Sequence, residues 1–203
     1  MNVQAMKQAI RQSIIALRDC TPAHERAHLS RTIAAEICRL PAYAAAGTVL
    51  GYLNFGAEFE AEIWVRRALA DGKRVLLPRV NRASRHLDIY EVRDLARDTA
   101  PGLWGIREPI VERCVKMDGP GQVDFILLPG VAFTRDGARL GYGGGFYDRL
   151  LARLPDRTAL VAGAFGLQVV AELPQEATDR RIEWLVTEHG TTHCAGHGEQ
   201  LDF

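Results

Sequence analysis

The chain has 203 residues, enough for one domain with a substantial core. Its 25 basic and 25 acidic residues cancel, which argues against a general nucleic-acid binder, where a basic excess is expected. The four cysteines are scattered, no secretory leader is visible and no apolar run could span a bilayer. The expectation is a cytoplasmic chain with reduced thiols, no membrane partner and no nucleic-acid partner.

Taken in order, residues 2–18 predict a helix, because Val3, Met6, Ile10, Ile14 and Leu17 recur at helical spacing. Lys7 and Arg11 share one of its faces, which for an anonymous helix reads first as a solvated basic edge. Thr21-Pro22 predicts the next helix, with Thr21 as N-cap and Pro22 at its first position, running to about Leu40 and stopping before Pro41. Residues 47–53 (GTVLGYL) read as a buried strand. The loop after it carries Phe55, Glu58 and Glu60, acids that suit either a ligand or a helix start. Residues 61–70 predict an amphipathic helix ending at Asp71-Gly72. Residues 74–78 predict a strand ended by Pro78-Arg79, which leaves Arg79 at the sheet edge that holds Glu58. Residues 87–92 alternate as an exposed or edge strand does. Residues 103–109 read as a loop in which Trp104 either plugs the core or faces a flat ligand.

Further strands are predicted at 123–128, 159–164 and 182–187, with a loop from Leu173 through Asp179. Residues 1–190 read as one domain and 191–203 as a flexible tail. His189, His193, Cys194 and His197 have a spacing that could hold a metal, though a frayed terminus explains them more simply. Strands alternating with helices predict an α/β fold: one domain, a mostly parallel sheet and helices on both faces, in a Rossmann-like three-layer arrangement.

The stretch at 129–149 (PGVAFTRDGARLGYGGGFYDR) reads as a long loop, a glycine turn and a helix start. Gly141, Gly143, Gly144 and Gly145 let backbone N–H groups approach an anion closely, and the helix N-terminus that follows adds a favourable partial charge. With Lys7, Arg11, Arg79 and Arg107 as cations, this is a set suited to a nucleoside triphosphate. Asp148 is placed to hold magnesium, and Glu183 is a possible second acid. No Walker motif occurs, and the dinucleotide fingerprint fails because Phe146 stands where its third glycine belongs.

Together these residues resemble a known family. The run Leu128-Pro129-Gly130-Val131-Ala132-Phe133, followed by Gly137-x-Arg139-Leu140-Gly141-x-Gly143-x-Gly145-x-Tyr147-Asp148, is similar to the signature of 5-formyltetrahydrofolate cyclo-ligases, also called methenyltetrahydrofolate synthetases. Lys7-x-x-x-Arg11, the acids Glu58 and Glu60, Leu77-Pro78-Arg79 and Gly105-Ile106-Arg107-Glu108-Pro109 occur in the same order as in that family.

The resemblance implies an ATP- and Mg2+-dependent ligase that closes 5-formyltetrahydrofolate to 5,10-methenyltetrahydrofolate and acts on small molecules; a monomer is expected, though the sequence does not give the oligomeric state. It implies ATP contacts from Lys7, Arg11 and the run Arg139, Leu140, Gly141, Tyr142, Gly143, Gly144, Gly145, Phe146 and Tyr147. Of these, Arg139 and Tyr147 would be catalytic. Folate would meet Phe55, Glu58, Trp104, Tyr142, Gly143, Gly144, Gly145 and Phe146, with Glu58 on the pterin, and magnesium would meet Asp148 and Glu183. Tyr142 and Gly144 stand where some members of the family carry arginine and lysine, which puts more weight on Lys7, Arg11 and Arg139. Two other readings stay open: a non-catalytic nucleotide- or phosphosugar-binding module, and a paralogous ATP-dependent enzyme acting on another one-carbon or heterocyclic substrate.

Overall fold

The structure, a computed structural model, describes residues 2–174 and 180–194, and the backbone alone of Trp104. Helix α1 (Val3–Cys20) starts at Asn2, whose side chain accepts from the Gln4 N–H. Thr21 closes this helix instead of opening the next. Its hydroxyl donates back to the Leu17 carbonyl, and Pro22 takes the N-cap position of α2 (Ala23–Arg39). Pro41, expected only as a stop, is the first residue of the short α3 (Pro41–Ala45), a position where its missing N–H has no helical partner to lose.

The chain continues through β1 (Thr48–Leu50), α4 (Ala61–Ala70), β2 (Arg74–Asn81), β3 (His86–Val92), α5 (Leu95–Asp98), β4 (Thr99–Pro101), β5 (Arg107–Pro109) and β6 (Val115–Lys116). It then forms β7 (Phe125–Leu128), β8 (Ala132–Phe133), β9 (Arg139–Leu140), α6 (Phe146–Leu151), β10 (Ala159–Gly163), β11 (Trp184–Thr187) and β12 (Gly190–His193).

Eight strands make the central sheet, in the order β12-β11-β10-β7-β1-β2-β3-β6. The five from β11 to β2 are parallel, β12 on one flank and β3 on the other run antiparallel to them, and β6 pairs antiparallel with β3. Side chains of the parallel strands alternate between two buried layers, which is why these strands read as unbroken apolar runs. Val49, Val75, Phe125, Leu127 and Val161 pack with α2 and α4 on one face. Leu50, Leu76, Ile126, Leu128 and Leu160 pack with α6 on the other. The expected α/β fold, with helices on both faces, is the one observed.

Three expectations change. β2 does not end at Pro78 but runs to Asn81, paired with β3. Its other neighbour, β1, stops opposite Leu76, so Pro78 lies where that side of the ladder is already open. β3 is not the edge, because β6 pairs with Tyr90 and Glu91. The fold also continues past residue 190: β12 pairs along β11 and Cys194 is buried. Residues 195–203 of the expected tail, including His197, and residues 175–179 of the expected loop lie outside the described residues. Among the described residues, no group of three or more His, Cys, Asp or Glu side chains converges as a metal site. No described helix is long and apolar enough to cross a membrane.

Trp64 carries much of the first layer. It is fully buried, with its ring centroid 5.6 Å from that of Phe125 and 5.8 Å from that of Tyr43. Trp64→Ala should cost about 3–5 kcal/mol, read as a lower denaturation midpoint in urea at unchanged slope.

Candidate active site

A cleft of about 590 Å³ opens where β1, β2 and β7 end, at the C-terminal edge of the parallel sheet. That volume suits a small-molecule ligand, and the position is where open α/β sheets bind theirs.

One wall is built by α1. This helix lies against the β8–β9 hairpin, with Ile14 packed among Val131, Ala132 and Leu140. The docking turns the stripe Lys7, Arg11, Ile14, Arg18 inward, at spacings that place all four on one helix face. Lys7 is buried but lines the cleft, and Arg11 Nε donates to the Gly141 carbonyl at 2.8 Å. This basic face therefore lines the cleft and is not a solvated edge.

Opposite α1 runs the glycine turn. Gly143 and Gly145 have φ of +96° and +66°, values that favour glycine, and a Cβ on Gly143 would sit 3.5 Å from the Arg11 guanidinium. The expected helix contribution is small, because α6 has six residues. What the turn offers an anion is backbone N–H groups beside Lys7, Arg11 and Arg139. The Arg139 side chain is buried. Its Nη2 donates to the Asp148 carboxylate and its Nη1 to the Pro129 carbonyl at 3.3 Å, while Nε has no hydrogen-bond partner among the described residues. Leu140, Gly144, Phe146, Tyr147 and the exposed Asp148 also line the cleft.

The other end of the cleft centres on Glu58, which is buried. Its Oε2 accepts from the Phe55 N–H at 2.7 Å and its Oε1 from the Tyr142 hydroxyl at 2.6 Å. Burial pushes the Glu58 carboxyl above its ordinary range, opposed by these two hydrogen bonds and by the charge of Arg18. The Tyr142 and Tyr147 hydroxyls are pushed up, first by burial and then by the Glu58 charge, so both stay protonated and able to donate. Phe55 stands exposed at the rim, and Tyr52 and Leu77 add wall.

Not every candidate arrives here. Glu183 stands just before β11, at the N-terminal end of the parallel strands. Its carboxylate accepts from the Leu160 N–H at 3.3 Å, and it does not line the cleft. The paired carboxylates expected of Asp148 and Glu183 are not formed. Arg79 is spent on the Pro109 carbonyl at 2.6 Å. Arg107 does line the cleft, but donates to the Leu95 carbonyl at 2.6 Å and pairs with Glu62. Trp104 sits in a 3-10 turn (Leu103–Gly105) next to Arg107, and its side chain lies outside the described residues. Arg18 was missed by the sequence reading, although its place in the stripe, seven residues after Arg11, is a signal the helical period supplies. Glu108, also missed as a cleft residue, is buried and accepts from the Val80 N–H at 3.2 Å.

A parallel sheet whose strand ends carry a cleft with a basic, glycine-rich wall and a buried carboxylate at its far end is the arrangement of an α/β protein that takes a small-molecule ligand. Residues 3–188 match the 5-formyltetrahydrofolate cyclo-ligase family, and the chain belongs to that family. The 5-formyltetrahydrofolate cyclo-ligase of Escherichia coli strain K12 is 30% identical over 172 residues, which cover 84% of this chain and 93% of that protein. A probable 5-formyltetrahydrofolate cyclo-ligase of Caenorhabditis elegans is 32% identical over 148 residues, 69% of this chain and 72% of the relative. The solution structure of Aquifex aeolicus 5,10-methenyltetrahydrofolate synthetase superposes with a TM-score of 0.81 at 31% identity, covering 98% of this chain and 97% of that one. The resemblance read from the glycine signature thus holds at the level of family and fold.

Proposed function

We propose that this chain closes 5-formyltetrahydrofolate to 5,10-methenyltetrahydrofolate with ATP and Mg2+, releasing ADP and phosphate, as a cytoplasmic monomer. The observation that carries the reading is the pairing, within one cleft, of a cation-backed glycine turn and a buried carboxylate held by two donors.

The triphosphate lies under the glycine turn against Lys7, Arg11 and Arg139. The Glu58 carboxylate has lone pairs left after its two hydrogen bonds, and accepts the paired N–H groups of the pterin. Phe55 and Phe146 supply apolar wall. With both ligands held, the formyl oxygen attacks the γ-phosphorus and the bond to the ADP oxygen breaks. The resulting iminium phosphate has a good leaving group where the formyl oxygen had been a poor one. The second folate nitrogen then attacks the formyl carbon and gives up its proton to water, phosphate leaves with the former formyl oxygen, and the ring is closed. The chain acts by positioning both reactants and by neutralising the charge that builds on the transferred group, a task for Arg139. Tyr147, kept protonated, is available as a hydrogen-bond donor and not as a base.

Asp148 fits the magnesium of a metal–nucleotide complex, because a cation carried on phosphate oxygens asks for as few as one carboxylate and otherwise keeps its waters. Bound there, the metal would neutralise triphosphate charge. Asp148→Asn should raise the Mg2+ concentration for half-maximal rate about tenfold at fixed ATP. An unchanged magnesium titration would remove Asp148 from this role.

The direct test mixes the folded protein with 5-formyltetrahydrofolate, ATP and Mg2+ and follows the near-ultraviolet absorbance of the methenyl product. The band should appear only with all three present. A protein that binds ATP but gives no absorbance change favours the paralogous enzyme acting on another substrate.

A further inference from the structure

Arg18 has no part in the mechanism above, and its burial is hard to explain as fold stabilisation. It is 3% exposed, and its Nε and Nη1 have no hydrogen-bond partner among the described residues. A buried guanidinium with two unpartnered nitrogens destabilises a fold relative to an apolar side chain of the same reach. The contact it does make leads into the site. Arg18 Nη2 donates to the Tyr142 hydroxyl at 2.8 Å, and that hydroxyl donates to Glu58 Oε1 at 2.6 Å. The Arg18 guanidinium carbon also lies 5.9 Å from the centre of the Tyr142 ring.

The order of donors gives this chain its direction. A hydroxyl that accepts from a cation is polarised and becomes a better donor to a carboxylate. Arg18 can only donate and Glu58, ionised, can only accept, so Tyr142 has one arrangement that satisfies both neighbours. Among the described residues, the groups bearing on Glu58 come from four elements. These are Arg18 on α1, Tyr52 and the Phe55 N–H after β1, Tyr142 in the glycine turn and Tyr147 on α6. Arg18 is the cation of that set, surrounded by neutral donors. The same helix holds the other side of the turn through Arg11 and the Gly141 carbonyl, two helical turns away.

We propose that Arg18 is a positioning residue of the folate subsite: through the Tyr142 hydroxyl it aims the Glu58 carboxylate. The phosphate cradle and the pterin acid are then set by one helix. This rests on the reading that Glu58 receives the pterin. Loss of Arg18 removes a charge that favours ionised Glu58, and frees Tyr142 to turn its hydroxyl elsewhere.

The variants Arg18→Met, Arg18→Lys and Tyr142→Phe, each checked for an intact melting transition, test this. Arg18→Met should lower kcat/KM for the reduced folate about tenfold, through KM, while KM for ATP stays within about twofold. The acid limb of its folate kcat/KM profile should move to higher pH. Arg18→Lys should bring that limb most of the way back, because it restores the charge. Tyr142→Phe added to Arg18→Met should cost less than about twofold more, since both act through one hydroxyl. Equal losses toward ATP and folate, or a lower melting temperature with an unmoved acid limb, would assign Arg18 to packing alone.

A second measurement separates this from the proposed reaction. In protein carrying 13C-labelled glutamate carboxyls, with Glu58 assigned by its absence in Glu58→Gln, Arg18→Met should move the Glu58 titration midpoint up. An unmoved midpoint overturns the proposal whether or not the wild type cyclises folate. A moved midpoint in a protein without cyclisation activity would leave the Arg18–Tyr142–Glu58 chain standing and overturn the reaction instead.

Discussion

Glu58→Gln should lower kcat/KM for 5-formyltetrahydrofolate about a hundredfold and leave KM for ATP within about twofold. Glutamine keeps the shape of the side chain and can still accept from the Phe55 N–H or the Tyr142 hydroxyl. It cannot accept a pair of N–H groups from the pterin, because one of its two terminal atoms is itself a donor. The parent should lose folate activity as pH falls through the raised Glu58 pKa, and the variant should lack that limb.

Stability should move the other way. A carboxyl whose folded pKa is raised above 4.5 contributes stability below the unfolded value and loses it as pH rises through the folded value. The unliganded parent thus carries an unfavourable ionised Glu58 at neutral pH. Glu58→Gln should melt higher than the parent there, and the gap should close as pH falls below about 4.5. A variant that loses folate activity and stability together would mark Glu58 as a structural acid and not a binding one.

Much of this site was legible because its residues lie at the ends of strands that read plainly. The apolar run Phe125–Leu128 is buried on both faces, and the residues after it must therefore emerge at the sheet edge where the other parallel strands also end. The same logic, applied to strand direction, tells against Glu183: it stands at the start of a parallel strand, and parallel strands put their starts at the opposite edge from their ends. Chemical type suggested Glu183 as a second metal ligand, whereas strand direction sets it at the far edge of the sheet from Asp148.

Arg18 escaped for another reason. No motif marks it, and its partners Tyr142 and Glu58 lie 124 and 40 residues away in the chain, a closeness made only by the docking of α1 on the β8–β9 hairpin. The tail expected from residue 191 begins instead as strand, and its two threonines suit an edge strand whose outward side chains meet solvent. Burial pattern could not find it, because an exposed edge has no apolar face to show.

Arg139→Met should reduce kcat about a thousandfold with KM for the reduced folate little changed. The side chain is 6% exposed and a methionine fills much of its path without a polar atom to satisfy, so the fold should persist. Removal also relieves the Nε that lacks a hydrogen-bond partner among the described residues. What is lost is a fixed cation in a largely enclosed place, already oriented by the Pro129 carbonyl and the Asp148 carboxylate. Such a charge acts most strongly on the transition state, when negative charge on the transferred phosphoryl group is spread toward both oxygens it passes between.

Arg139→Lys should recover little, because an ammonium is a point charge and cannot reach Pro129, Asp148 and the phosphoryl group from one planar fork. Single-turnover measurements with saturating ATP separate the alternatives. A chemical step slowed as much as kcat assigns Arg139 to the transition state. A normal chemical step with weakened ATP binding would make it a ground-state phosphate contact like Arg11, and would move the burden of charge stabilisation onto Lys7 and the glycine turn.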